Sequence, residues 1–454
     1  MSLSFQGGTL VLYDVSQNSP VPPCFQWIKG RWRCEAYHYP ALLGWLKQQG
    51  IRDKIPQWER LKLTLHDTRE PHDYQIAALD AWEKNQSRGS IVLPTGAGKT
   101  FVAIHAIYRT KRSALIVAPT IDLLHQWYTR LTNAFETDIG VYYGGEKIIQ
   151  PITVTTYHSA GDLIAAYGNQ FKLVIYDEVH HLPAPAWGET ALMSPAPFRL
   201  GLTATYPEAH EQSGSRWSVE QLVGPIVYQQ RIDDLVGEQL AIYRTERIRV
   251  ELTDEERAQY DADYAIYADY FRSHNLPRTH GPNWYRELMR QSAFDRDARR
   301  ALLARNRIVN LLAGSQQKLL ALEKLLREYS HEQVLIFTEN NDVVYKIACR
   351  YLIPALTHET KAAERKHILE GFQNGMYKAI ATSRVLNEGV DVPEAKVAIV
   401  LGGTSSAREY IQRLGRVLRK SGNRQAVLFE IIVRHTVDEG RARRRRPKPA
   451  YVNG

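Results

Sequence analysis

The chain has 454 residues, enough for about three domains, and 44% of them are hydrophobic, so sizeable cores are expected. Three cysteines, Cys24, Cys34 and Cys349, exclude a disulfide scaffold and a four-cysteine iron–sulfur cluster, and they suit a reducing compartment. A net charge of +9 favours polyanionic partners. No apolar run approaches ~20 residues, and the opening MSLSFQGGTL lacks the basic-then-apolar pattern of a signal peptide. The expectation is a soluble intracellular protein with no membrane partner, cytoplasmic, or nuclear in a eukaryote.

Residues 1–66 differ in character from the rest. Short strands are predicted over Thr9–Tyr13, Cys24–Ile28 and Arg31–Ala36, with a helix from Pro40 to Gln49. This is a small α+β domain. Trp27, Arg31, Trp32 and Arg33 interleave cations and rings, suited either to stacking on nucleic acid or to packing a hairpin against the rest of the chain. Cys24, Cys34 and His38 are a conceivable zinc set, but two small buried thiols are the favoured reading.

Residues 67–236 alternate strand and helix patterns, which implies a parallel sheet with helices on both faces. Ile91–Thr100 reads IVLPTGAGKT: an apolar strand, a Gly-rich loop, then a helix. Such a loop turns successive backbone N–H groups towards one concavity, a phosphate cradle. Thr95, Gly96 and Gly98 belong to the cradle, Lys99 supplies a cation for the phosphates, and Thr100 supplies a hydroxyl for Mg²⁺. Leu93 stands where the strict pattern wants Gly. Phe171–His181 reads FKLVIYDEVHH, a second strand ending in acids. Residues past the carboxyl ends of parallel strands face the ligand crevice. Asp177 is placed to hold Mg²⁺ and Glu178 to activate the attacking water, with His180 two residues on.

Residues 237–314 form a linker and a helical insertion. Thr253 and Glu256 make a capping box, and Tyr260, Tyr264, Tyr267 and Phe271 recur at helical spacing. A hairpin that packs this stripe inward is favoured; a thumb that grips nucleic acid is the alternative. The second arm is expected from Trp284 to Leu312. Residues 315–440 return to strand–helix alternation. Within them Gln412, Arg416 and Arg419 fall on one helical face, and arginine suits the charge that develops on a transferring phosphoryl group. Residues 441–454 are a basic tail, either solvated or in contact with a phosphate backbone or a partner.

Taken together, Asp73-Tyr74-Gln75, LPTGAGKT, Ala118-Pro119-Thr120 with Leu123–Trp127 behind it, Thr155–Ser159, DEVHH, LGLTAT (200–205), VLIFT (334–338), ATSRVLNEGVDVP (381–393) and QRLGRVLR (412–419) stand in the motif order of superfamily 2 helicases. The chain resembles the XPB-type DNA-repair helicases over about Asp73–Arg419. The resemblance implies an α/β fold of two tandem RecA-like parallel-sheet domains, at 67–236 and 315–440. It also implies a damage-recognition-like N-terminal domain at 1–66 and a thumb-like insertion within 237–314. It implies ATP and Mg²⁺ bound between the two RecA-like domains. Gln75 would read adenine, Gln412 would bind nucleotide, and Arg416 and Arg419 would face the γ-phosphate. Thr203, Thr205 and His180 would couple hydrolysis to DNA.

The implied function is ATP-dependent movement, 3′ to 5′, on single-stranded or forked DNA in repair or transcription-linked opening, by a monomer with a possible nuclease partner. Two departures stand out. The Arg-Glu-Asp triplet that the family carries after LGLTAT is absent, the chain reading Tyr206-Pro207-Glu208-Ala209-His210, and Pro71-His72 precede the glutamine motif in place of Leu-Arg. The alternatives are a double-strand translocase without unwinding, an ATP-gated scaffold that recruits a nuclease, and an RNA helicase.

Overall fold

The structure, a computed structural model, describes residues 1–55, 58, 60–207, 216–230, 243–274, 284–338, 340–383, 395–402 and 426–444. The chain divides into two units, Met1–Asp234 and Leu235–Gly454.

The first unit opens with β1 (Ser2–Gln6), β2 (Thr9–Tyr13), β3 (Gln26–Ile28), β4 (Arg31–Glu35), α1 (Tyr39–Gln48) and β5 (Arg52–Asp53). These strands form a five-stranded sheet in the order β3-β4-β2-β1-β5. The sequence reading had β2, β3, β4 and the helix, but not β1 or β5. The β1–β2 turn is Gly7-Gly8, with φ of 56° and 74°, a two-residue hairpin turn that demands left-handed backbone at both positions. Leu3, Leu10, Leu12, Phe25, Cys34, Leu42 and Leu46 make its core. Cys24 and Cys34 are free thiols, and burial raises the pKa of both. This module is seated on the rest of the first unit. Tyr37 Oη donates to the Gln221 carbonyl at 2.7 Å, its ring lies under the Arg88 and Arg199 guanidiniums, and Trp58 Nε1 donates to the Asn169 carbonyl.

Next come α2 (Asp73–Lys84), β6 (Arg88–Val92), α3 (Lys99–Thr110), β7 (Ala114–Ala118), α4 (Ile121–Phe135), β8 (Gly140–Tyr143), β9 (Glu146–Ile148), β10 (Ile152–Thr156), α5 (Tyr157–Tyr167) and β11 (Leu173–Asp177). After them come α6 (Pro185–Leu192), β12 (Phe198–Thr203), α7 (Val219–Leu222) and β13 (Ile226–Gln229). The eight-stranded sheet runs β13-β6-β12-β11-β7-β10-β8-β9, parallel except for the β8–β9 pair. β7, β10 and β11 are buried at every position, as expected of strands covered on both faces. Helices start where side chains cap them: Thr120 accepts from the Leu123 N–H before α4, and Thr156 from the Ser159 N–H before α5.

The second unit holds β14 (Tyr243–Val250), α8 (Asp254–Ser273), α9 (Trp284–Gln291), α10 (Arg296–Ala313), α11 (Gln316–Glu328), β15 (Val334–Phe337), α12 (Asn341–Tyr351), β16 (Ala355–Leu356) and α13 (Ala362–Gln373). β17 (Ala379–Thr382), β18 (Val397–Val400), β19 (Ala426–Val433) and α14 (Val437–Arg444) complete it. Its six-stranded sheet, β14-β19-β18-β15-β17-β16, is parallel throughout. β14 lies in the stretch read from sequence as linker, yet it pairs with β19 over its whole length.

The Thr253–Glu256 capping box forms as read, each side chain meeting the other residue's backbone N–H. The aromatic stripe is mostly inward. Tyr260 and Tyr267 join Ile308, Leu312 and Val433 in one cluster, whereas Tyr264 stays exposed. The second arm is not one helix from Trp284 to Leu312. It breaks after Gln291, and Asp295 restarts it by accepting from the Asp297 N–H. Arg441 and Arg443, read as the start of the tail, belong to α14. Buried Lys318 pairs with Asp438 of that helix at 2.6 Å.

Candidate active site

The sheet order brings three segments of the first unit to one edge. β12 lies between β6 and β11, so the loop after β6, the acids closing β11 and the threonines closing β12 are neighbours at the carboxyl ends of their strands. The Leu93 N–H donates to the Thr203 carbonyl, which stitches the loop to β12.

The loop turns through Gly96 and Gly98, with φ of 89° and 79°, the left-handed region that suits glycine. A Cβ at Gly98 would collide with the Gln75 amide nitrogen. Leu93 is fully buried, which accounts for its departure from the strict motif: its side chain belongs to the core and only its backbone faces the loop. Its carbonyl accepts from Lys99 Nζ at 3.4 Å, and Nζ stands 4.0 Å from Glu178 Oε1. Thr95 is half-buried and Gly96 exposed on the rim; Thr100 follows Lys99 in the first turn of α3.

Asp177 ends β11 and is 6% exposed. Its Oδ1 accepts from the Glu178 N–H at 3.0 Å and its Oδ2 from Trp127 Nε1 at 2.8 Å. Burial, and then the Glu178 charge, push its carboxyl up to about 6 against the pull of Trp127 and Lys99. Glu178 has φ of 47°, an uncommon conformation for a residue with a side chain. Its Oε2 is buried without a hydrogen-bond partner among the described residues, 3.5 Å from His180 Nδ1. Thr203 Oγ1 donates to the Thr205 carbonyl at 2.9 Å and lies 2.9 Å from His180 Nδ1. A hydroxyl has one proton, so His180 donates from Nδ1 in this network.

Gln75 is 3% exposed. Its Oε1 accepts from the His72 N–H, and its Nε2 donates to the Ala97 carbonyl and to Tyr74 Oη. In this state its amide braces the phosphate loop.

The cradle and the acids fit a magnesium nucleotide. Two left-handed glycines shape the loop, the acids offer hard oxygen donors with one buried atom lacking a donor, and a lysine stands at their side. The geometry thus gathers Gln75, Thr95, Gly96, Gly98, Lys99, Thr100, Asp177, Glu178, His180, Thr203 and Thr205. Gln412, Arg416 and Arg419 lie outside the described residues, as do residues 384–393 of the motif that begins at Ala381.

Trp127, Tyr157 and Tyr74 also belong to the site; each lies in a motif segment read from the sequence, but none was given a role there. Tyr157 Oη donates to the Asp177 carbonyl at 3.0 Å, and Tyr74 Oη to the Ala97 carbonyl at 2.9 Å. Trp127 sits at apolar helical spacing with Leu124 and Leu131, a pattern that reads as ordinary core.

Comparison with known proteins agrees with this architecture. Residues 68–208 match the family described as type III restriction enzyme, res subunit, and residues 317–421 match the helicase conserved C-terminal domain. The chain is 42% identical, over 84% of its length and 86% of the relative's, to "DNA 3'-5' translocase XPB2" of Sulfurisphaera tokodaii. It is 31% identical, over 82% of its length, to "DNA 3'-5' helicase XPB" of Kineococcus radiotolerans, of which it spans 61%. The helicase domain of Pyrococcus furiosus Hef shares the fold, with a TM-score of 0.51 at 19% identity over 83% of this chain and 98% of that one. With these motifs, these parallel sheets and this degree of identity, the chain belongs to the XPB family of superfamily 2 DNA helicases and translocases.

Proposed function

We propose that this chain is a DNA-dependent ATPase that converts hydrolysis into 3′-to-5′ movement on DNA. The observation that carries the reading is the placement of Lys99, where the loop after β6 meets α3, beside Asp177 and Glu178 at the end of β11, with Lys99 Nζ 4.0 Å from Glu178 Oε1. Gly96, Gly98 and Lys99 hold the phosphates, Thr100 and Asp177 hold Mg²⁺, and Thr95 lies on the loop's rim. Mg²⁺, when bound by Thr100 and Asp177, would supply positive charge to offset that of the phosphates. Glu178 orients the attacking water and accepts its proton; its unsatisfied, buried Oε2 supports that role. Lys99 turns from the Leu93 carbonyl to the phosphates. Gln75 carries adenine recognition to the loop it already braces. His180, 3.5 Å from Glu178 Oε2, is hydrogen-bonded to Thr203 and through it to Thr205, a chain of contacts from Glu178 to the end of β12. Gln412, Arg416 and Arg419 are assigned as further nucleotide partners on their motif.

Steady-state ATP hydrolysis without nucleic acid, and with single-stranded DNA, forked DNA or RNA, tests this. The reading expects stimulation by DNA above RNA. Equal rates in all four would favour the ATP-gated scaffold, for which a nuclease is the proposed partner.

A second reading, translocation on duplex DNA without unwinding, is favoured by one observation: Tyr206–His210 replaces the Arg-Glu-Asp triplet. It is also consistent with the printed name of the Sulfurisphaera relative, a translocase. A pure translocase displaces a triplex-forming strand and leaves a duplex fork intact; fork unwinding at a comparable rate excludes it.

A further inference from the structure

Helix α4 reaches the candidate metal site through one atom. Trp127 is 1% exposed, and its indole N–H donates to Asp177 Oδ2 at 2.8 Å. The other carboxylate oxygen receives only the adjacent Glu178 N–H, a bond made within the chain's own turn. The Trp127 bond is therefore the long-range restraint that sets the rotation of this carboxylate among the described side chains. The donor is uncharged. It can orient the carboxylate while leaving its negative charge for a cation, whereas a lysine or arginine at this place would neutralise it.

The ring is locked in turn. Leu124 and Leu131, one turn either side of it on α4, are fully buried. The same helix is capped by Thr120, and its Ile121 and Tyr128 are exposed.

We infer that Trp127 is a positioning residue for divalent-cation binding: its indole N–H sets the Asp177 carboxylate for the cation and ties α4 to it. The inference rests on the assignment of Asp177 to Mg²⁺ given above.

Trp127→Phe keeps a ring and removes the N–H. Equilibrium binding of a fluorescent, non-hydrolysable ATP analogue is measured in full-length protein across a Mg²⁺ titration. Removing a hydrogen bond to a charged group should raise half-saturating Mg²⁺ about tenfold, while analogue affinity without Mg²⁺ stays within about twofold. At saturating Mg²⁺ the KM for ATP should be preserved and kcat reduced. An unchanged Mg²⁺ midpoint in a folded Trp127→Phe protein overturns the inference. Wild-type protein that binds the analogue with no Mg²⁺ dependence overturns the site assignment instead.

A second measurement needs no variant. In an indole ¹⁵N spectrum of wild-type protein with its nine tryptophans, one N–H resonance should shift on adding Mg²⁺ at saturating analogue. If none responds, Trp127 does not sense the cation.

Discussion

Asp177 shows how one residue can be placed for function at the expense of stability. Its carboxyl is buried beside Glu178 and titrates near 6, against an ordinary value of about 3.9. Folding therefore takes up a proton there. That contribution is full below about pH 4 and is lost as pH rises through about 6. Asp177→Asn should therefore stabilise the ligand-free protein at pH 7.5, by roughly 3 kcal/mol, and the gain should shrink towards zero as pH falls to 4. Denaturant midpoints of both proteins across that range check it; a pH-independent difference would mean that the carboxylate is not strained by burial. Gly98 makes a second prediction. Because a Cβ there meets the Gln75 amide, and its φ is 79°, Gly98→Ala should displace Gln75 and weaken ATP binding at least about tenfold. Unaltered ATP affinity in a titration would show that the loop does not depend on this brace.

At the scale of elements, what was legible followed period and capping. Continuous apolar runs named β6 and β11 because these strands are covered on both faces. The motif residues at their carboxyl ends could be placed for the same reason. β14 was missed because YRTERIRV opens on a polar run, Arg244–Arg247, that breaks strand alternation, and only pairing with the distant β19 gives it a sheet. The break between α9 and α10 was missed because Asp295 looks like one more polar residue on a helical face until its side chain is seen capping. The role of Trp127 was missed for a related reason: motif and periodicity find a buried ring, but not where its one polar atom points. Caps that could be read can be tested. Thr253→Ala removes the side-chain acceptor for the Glu256 N–H and should cost the second unit about 1 kcal/mol. Glu256 contributes the other half of the box, so a denaturant melt unmoved by Thr253→Ala would show that α8 is held by packing alone.

For the whole molecule, the small N-terminal sheet was legible as a separate module, but not how it is attached. The Tyr37 ring lies 4.6 Å from the Arg88 guanidinium and 4.7 Å from that of Arg199. Arg199 is fully buried and donates to the Ser194, Ala196 and Leu222 carbonyls, so the module docks on a rigid, charged post. Tyr37→Ala should loosen it and speed protease cleavage between residues 53 and 73 several-fold under native conditions; an unchanged cleavage rate would show that Trp58 and the neighbouring contacts suffice.

The central claim is that the strand ends of the first unit form a hydrolytic site that drives movement on DNA. DNA-stimulated ATP turnover, measured beside ATP binding in wild type, Lys99→Ala and Glu178→Gln, tests it most directly. The account predicts strong stimulation of wild type by DNA, and turnover lost in both variants by at least about a hundredfold. It also predicts ATP affinity retained in Glu178→Gln and weakened in Lys99→Ala. Appreciable residual hydrolysis in either variant, or loss of ATP binding in Glu178→Gln, would contradict it.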